Sequence, residues 1–168
     1  MAKSDSFFIR ATTAFNGTTF EQNAVDLGAY VDALGKSVLR IHNIAVQWGD
    51  PLESAQAAGT NVHQTCAYQL TTQSQTTMVD VTDKSVIASG RLQLHTDGTQ
   101  AVTQVNDFVD LAPQAWTAGY LVGVEQIYLG VDSDSSANLG LSRCSIVLEC
   151  TVETLSQSAA MALALSQQ

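Results

Sequence analysis

The residues of this 168-residue chain that could do chemistry are few: three histidines, three cysteines and a scatter of carboxylates. His42, His63 and His95 fall on three separate segments. No two lie at the close spacing that sets metal ligands on one turn, so a metal centre would need the fold to bring them together with a carboxylate. Cys66, Cys144 and Cys150 are an odd number with no CxxC pair. Cys144 and Cys150 sit on one strand-like segment and cannot reach each other, so the three read as buried free thiols of a reducing compartment. The run Asp132-Ser133-Asp134-Ser135-Ser136 begins like a calcium loop. An EF-hand needs Gly at its sixth place and Glu at its twelfth; here these are Ala137 and Arg143. A polar hairpin loop is the better reading, with Asp132 and Asp134 left as the candidates for a weak calcium contact. There is no GxSxG and no glycine-rich phosphate loop, and Gly28, Gly35 and Gly49 are isolated turn glycines. A glycosidase carboxylate pair could be drawn, but no spacing selects one. Tyr30, Trp48, Tyr68, Trp116, Tyr120 and Tyr128 could line a sugar-binding face, though core packing explains them. The expectation is a protein that is not an enzyme, with no cofactor and no small-molecule substrate.

Composition says what kind of scaffold holds these residues. The chain is long enough for one domain with a real core, and 45% of it is hydrophobic. Only 14% is charged, well below the roughly 25% of ordinary soluble domains. Its polar surface is therefore Thr, Gln, Ser and Asn, which suits packing against copies of itself. The net charge is −9, with seven Lys and Arg that never form a run. Phosphate backbones are bound by clustered cations, so direct nucleic-acid binding is not expected. The first ten residues hold no apolar signal-peptide core, and no apolar run reaches the roughly 18 residues of a membrane span.

Period-two alternation dominates the chain. The clearest stretch is residues 122–132 followed, after a polar loop at 133–140, by residues 141–152. In the first, Ile127, Leu129 and Val131 share a face opposite Gln126, Tyr128 and Gly130, with a change of phase near Glu125. In the second, Cys144, Ile146, Leu148, Cys150 and Val152 alternate with Arg143, Ser145, Val147, Glu149 and Thr151. Residues 6–12 place Phe7 and Ile9 on one face and Phe8 and Arg10 on the other. Asn16-Gly17 signals a turn. Residues 18–27 and 37–48 read as strands. The second changes parity between Ile41 and Ile44, which implies a β-bulge near His42-Asn43. Further strands are expected at 62–72, at 85–94 with an interruption at Gly90, and at 105–111, with a turn tipped by Asp97-Gly98. About eight strands without intervening helices predict an all-β fold, a jelly-roll β-sandwich of antiparallel strands or another Greek-key sandwich.

The C-terminus differs. The sandwich is expected over residues 1–153 and a helical tail over 154–168, with Thr154 or Ser156 as N-cap. Leu155, Ala159, Ala162 and Leu163 would form one stripe, but Met161, Ala164 and Leu165 are apolar too. A terminal helix apolar nearly all round wants burial, on its own sandwich or on a neighbouring subunit; it lacks the cations of a membrane-surface helix, and the subunit contact is the expectation. Phe7, Phe8, Leu155, Ala159, Met161 and Leu163 are the expected subunit contacts.

Residues 25–44, VDLGAYVDALGKSVLRIHNI, resemble the early strand, bend and strand of single jelly-roll major capsid proteins of tailless icosahedral viruses of archaea and bacteria, and of related marine environmental sequences. Residues 126–152, QIYLGVDSDSSANLGLSRCSIVLECTV, resemble the final strands of the same family. The resemblance implies a virion shell protein, made in the host cytoplasm, whose partners are its own copies and other virion proteins, in several such viruses over an internal membrane. It carries over no catalytic residue. The absent basic N-terminal arm fits a shell separated from its genome. Two other classes stay open. A carbohydrate-binding, filament or surface-layer sandwich would expose a row from Trp48, Tyr68 and Trp116. A cupin-like or hydrolytic jelly roll would bring His42, His63 or His95 together with a carboxylate around a metal.

Overall fold

A computed structural model describes residues 3–32, 36–54, 63–96, 102–107, 111–134 and 141–168. Among them the chain forms nine strands: β1 (Phe7–Ala14), β2 (Glu21–Asp26), β3 (Ser37–Trp48), β4 (His63–Thr71), β5 (Val86–Thr96), β6 (Val102–Asp107), β7 (Tyr120–Val122), β8 (Gln126–Ser133) and β9 (Arg143–Thr154). A 3-10 turn, Pro113–Ala115, precedes β7, and one α-helix, α1 (Gln157–Ser166), ends the chain.

The pairing is that of a hairpin rolled on itself. β1 pairs with β9, β2 with β8, β3 with β7 and β4 with β5, all antiparallel. Alternate rungs of this long hairpin land in opposite sheets. One sheet has the order β1-β9-β3-β7 and the other β2-β8-β4-β5-β6. Two Greek keys wrapped this way are a jelly roll. The all-β expectation holds; β6 lies beside β5 outside these four pairs, and the described strands number nine because β7 and β8 are separate.

Alternation explains the core. The inward residues of β8 (Ile127, Leu129, Val131) and of β9 (Cys144, Ile146, Leu148, Cys150) are each 1% exposed or less. They meet Leu39, Ile41, Leu70 and Ile87 between the sheets. The anticipated bulge is present, a register shift between Ile41 and Asn43 against β9. It turns the strand by one residue, so that Ile41 and Ile44 both point inward.

Five expectations need correction. Residues 122–132 are not one strand. The chain leaves the first sheet after Val122 and enters the second at Gln126. The phase change at Glu125 marks this crossing. Nor do β8 and β9 form a hairpin, since they lie in opposite sheets and each pairs with other strands. The sixth strand begins at Val102, not residue 105, because β5 runs on to Thr96 and pairs it with Val102; residues 108–110 and Asp97-Gly98 lie outside the described residues. The second strand starts at Glu21, because Asn16 and Thr19 bridge around Gly17, whose φ is +63°. Gly90 does not interrupt β5. A side chain there would meet the Tyr68 ring at 2.6 Å, so glycine is what lets the ring lie across the strand.

One ion pair ties the first sheet together. Arg40 on β3 grips Glu153 on β9 with two parallel bonds, Nε to Oε1 at 2.7 Å and Nη2 to Oε2 at 2.8 Å, and its Nη1 donates to the Ala118 carbonyl ahead of β7. The bonds from Arg40 hold the Glu153 carboxyl below its ordinary range. A carboxylate with a depressed folded pKa adds stability above its unfolded pKa, about 4.3, and loses it as pH falls through the folded value. Melting temperature is therefore expected to hold near neutrality and to fall below roughly pH 4. Glu153→Gln should cost about 2 kcal/mol at pH 7, less than a fully buried pair, and flatten the acid limb. Thermal melts from pH 7 to 2.5 measure both; parallel curves for the two proteins would contradict this role.

Candidate interaction surfaces

The structure separates most of the chemistry-bearing residues. His42 on β3 shares a hydrogen bond of 2.9 Å with the Thr151 hydroxyl on β9. His63 and His95 are register partners on β4 and β5, their rings stacked at 4.3 Å in the other sheet. With Thr65, Gln93 and Thr103 they line a shallow depression of about 240 Å³. The three histidines therefore do not converge, and among the described residues no group of three His, Cys, Asp or Glu is placed to hold a metal ion. Asp132 accepts the Ser133 N–H at 2.7 Å, and Asp134 accepts the Thr65 N–H at 2.8 Å. Both carboxylates thus serve the backbone where β8 leaves β4; residues 135–140 lie outside the described part.

All three cysteines are buried and free. Burial pushes the Cys66 and Cys150 thiols up to about 12 and raises Cys144 as well. Thiolate is the reactive form, so the native protein at pH 8 is expected to take up no alkylating reagent within an hour. Three equivalents should react once denaturant is added, matching the three cysteines. Prompt labelling of the native chain, counted by intact mass, would show that these strands open.

The aromatic row expected of a sugar-binding face is not formed. Trp48 packs between Phe15 and Tyr68, with ring centroids at 5.5 and 6.0 Å, and Tyr68 is buried in the core. Only Trp116 of the three is exposed, on the turn before β7. Alternation placed Trp48 and Tyr68 on inward faces of β3 and β4, and packing between the sheets used them there.

The expected subunit contacts fall at two places. Phe7 is half-buried and stacks on Tyr30 at 4.7 Å, while Phe8 stands 56% exposed on the outer face of β1. In the tail, Leu155 and Leu163 are half-buried, and Ala159 and Met161 are exposed. The helix starts as anticipated, with the Ser156 hydroxyl capping the Ala159 N–H. Its buried side is not the expected stripe of Leu155, Ala159, Ala162 and Leu163. Ala160 and Ala164 face the sandwich instead, because small side chains let the helix lie close over Gly123, where Leu163 also packs. Gln167 then locks the end: its Oε1 accepts the Gly123 N–H at 2.8 Å, and its Nε2 donates to the Leu121 carbonyl at 2.7 Å. The helix thus seals the point where the chain crosses between sheets. Sequence reading missed Gln167, since nothing distinguishes it from Gln168 until the crossing is known. Leu165, apolar in the sequence but not among the expected contacts, forms with Met161 one turn earlier an exposed apolar ridge, 68% and 44% exposed.

The second surface is the open side of the sandwich. β1 and β2 are edge strands of opposite sheets, and a groove of about 500 Å³ runs between them. Asn23 reaches across it to donate to the Thr12 carbonyl at 2.7 Å. Phe8 and Tyr30 border the groove, as do Arg10 and Asp26.

No protein-family model and no curated protein matches the chain. Among solved structures, one of Desmodium yellow mottle tymovirus aligns over 89% of this chain and 86% of its own, at 8% identity and a TM-score of 0.35. The unassembled VP1 pentamer of Merkel cell polyomavirus aligns over 92% and 98%, at 7% identity and a TM-score of 0.43. Dimeric latent PorU from Porphyromonas gingivalis aligns over 87% of this chain and 13% of its own, at 8% identity and a TM-score of 0.40. The jelly roll of the present chain is defined by its own strand pairing.

Proposed function

We propose that this chain is a capsid structural protein that self-associates into an icosahedral virion shell, of the kind its sequence resembles in tailless viruses of archaea and bacteria. The observation that carries the reading is the rung-by-rung jelly-roll pairing, found in a chain whose two resembling segments fall on the elements that build it. Residues 25–44 run from the end of β2 into β3, and residues 126–152 run from β8 into β9. The surface supports the same reading. A low-charge exterior keeps Phe8, Met161 and Leu165 outside, and apolar area buried repeatedly by symmetry holds closed assemblies together. Its partners are further copies and other virion proteins, with an underlying membrane as a further neighbour. Direct genome contact is not part of the role: Arg40 and Arg143 are engaged by Glu153 and Asp50, and the cations form no patch in sequence.

The double variant Met161→Glu with Leu165→Glu tests the helix ridge. It alters only exposed side chains and leaves Gln167 in place, whereas deleting the tail would strip the Gly123 N–H of its partner. The native circular dichroism spectrum is expected, with particle formation lost. Unchanged particles would remove the helix from the interface.

A further inference from the structure

We infer that the free edge of β1 is a two-fold contact, pairing antiparallel with β1 of a second copy so that one sheet continues across both molecules. This goes beyond the shell reading and does not depend on it. The Phe15 N–H donates to Ser142 on the β9 side. In an antiparallel ladder the direction of N–H and C=O alternates by residue. Odd residues of β1 therefore bond β9, and the N–H and C=O groups of Phe8, Arg10, Thr12 and Ala14 point to the open edge. The Thr12 carbonyl, taken by Asn23, is an edge group as this requires. Phe8 and Arg10 present their backbone groups with no partner among the described residues. Such an edge is a template for another strand.

Only a pairing that sets outward groups against outward groups closes the bonds. A two-fold axis at Ile9 does so, placing Phe8 opposite the copy's Arg10 and Arg10 opposite its Phe8. Side chains at these positions share the outer face, so each guanidinium lies over the other copy's phenyl ring, a cation–π geometry. Charge agrees as well. Arg10 has no ion pair among the described residues. The incoming Arg10 arrives at the Phe8 end of the groove, which Asp26 also borders. An axis at Arg10 would instead oppose like charges.

Amide hydrogen exchange read with sedimentation across a concentration series tests the contact. The Phe8 and Arg10 amides should exchange freely in the monomer and gain at least tenfold protection as dimer forms. Arg10→Pro removes one outward N–H and the guanidinium while leaving the β9 ladder whole, because proline is tolerated on an edge facing solvent. It should keep the native spectrum and associate at least tenfold more weakly. If that variant does not fold, Arg10→Glu, which sets like charge against Asp26, should weaken association by a similar factor. A chain that stays monomeric, one that associates while these amides remain unprotected, or folded variants that associate like the native chain would each overturn the inference. Dimers without shells would uphold it and count against the shell reading alone.

Discussion

Leu148→Ala is expected to lower stability by about 3–4 kcal/mol, near the middle of the range for a buried leucine. Leu148 is wholly buried at the middle of β9, which has β1 on one side and β3 on the other. Truncation removes the side chain's transfer energy and leaves a cavity that two bonded neighbours prevent from collapsing. At roughly 2–4 °C per kcal/mol for a chain of this size, the melting temperature should drop by about 10 °C. Val147→Ala is the control. Its side chain points to the outer face and is only half-buried, so the loss should stay below about 1 kcal/mol. Equal losses at the two positions would contradict the inward parity of β9, and with it the whole register of the first sheet.

Gly119→Ala is the second large effect, with an expected loss of about 3 kcal/mol or more. Gly119 has φ +63°, where a side chain is already strained, and a Cβ there would lie 2.3 Å from the Ile41 carbonyl oxygen. The clash is with backbone at the β3 bulge, which no rotamer change relieves. Gly119 is thus what lets the turn before β7 close onto the bulge, next to the Ala118 carbonyl that Arg40 holds. Gly17 supplies the comparison. It has the same φ, but nothing lies within 4 Å of its Cβ position, so Gly17→Ala should cost about 1 kcal/mol, the backbone strain alone. Denaturant melts of the pair separate strain from contact; similar losses would mean the close approach at Gly119 is absent.

How far the sequence carries depends on what periodicity encodes. Alternation specifies a face, so Ile127, Leu129, Ile146 and Leu148 were legible as core, and the parity slip between Ile41 and Ile44 revealed the bulge. Alternation does not specify a partner. The rolled pairing of β1 with β9 joins residues more than a hundred positions apart, and no local signal marks it. The break at Glu125 was visible as a change of phase, but a phase change reads equally as a bulge or a crossing between sheets. The helix was legible from its composition and its cap. Its buried side was not, because a segment apolar nearly all round has no preferred direction; Gly123 and Gln167 chose it. The histidines and aromatics could be named as possible sites from residue type alone. Only the fold could show that His42 lies on a different sheet from the stacked His63 and His95. The open edge of β1 was hidden for the same reason as the pairing, since an edge exists only once the neighbours are known.

The measurement that bears most directly on the central claim is the mass of the purified native chain in solution, by light scattering with negative-stain images of the same sample. Closed particles, or capsomers of one defined copy number that close on concentration, are the predicted result. A monomer at every concentration would contradict the shell role, and open helical filaments would contradict its icosahedral form.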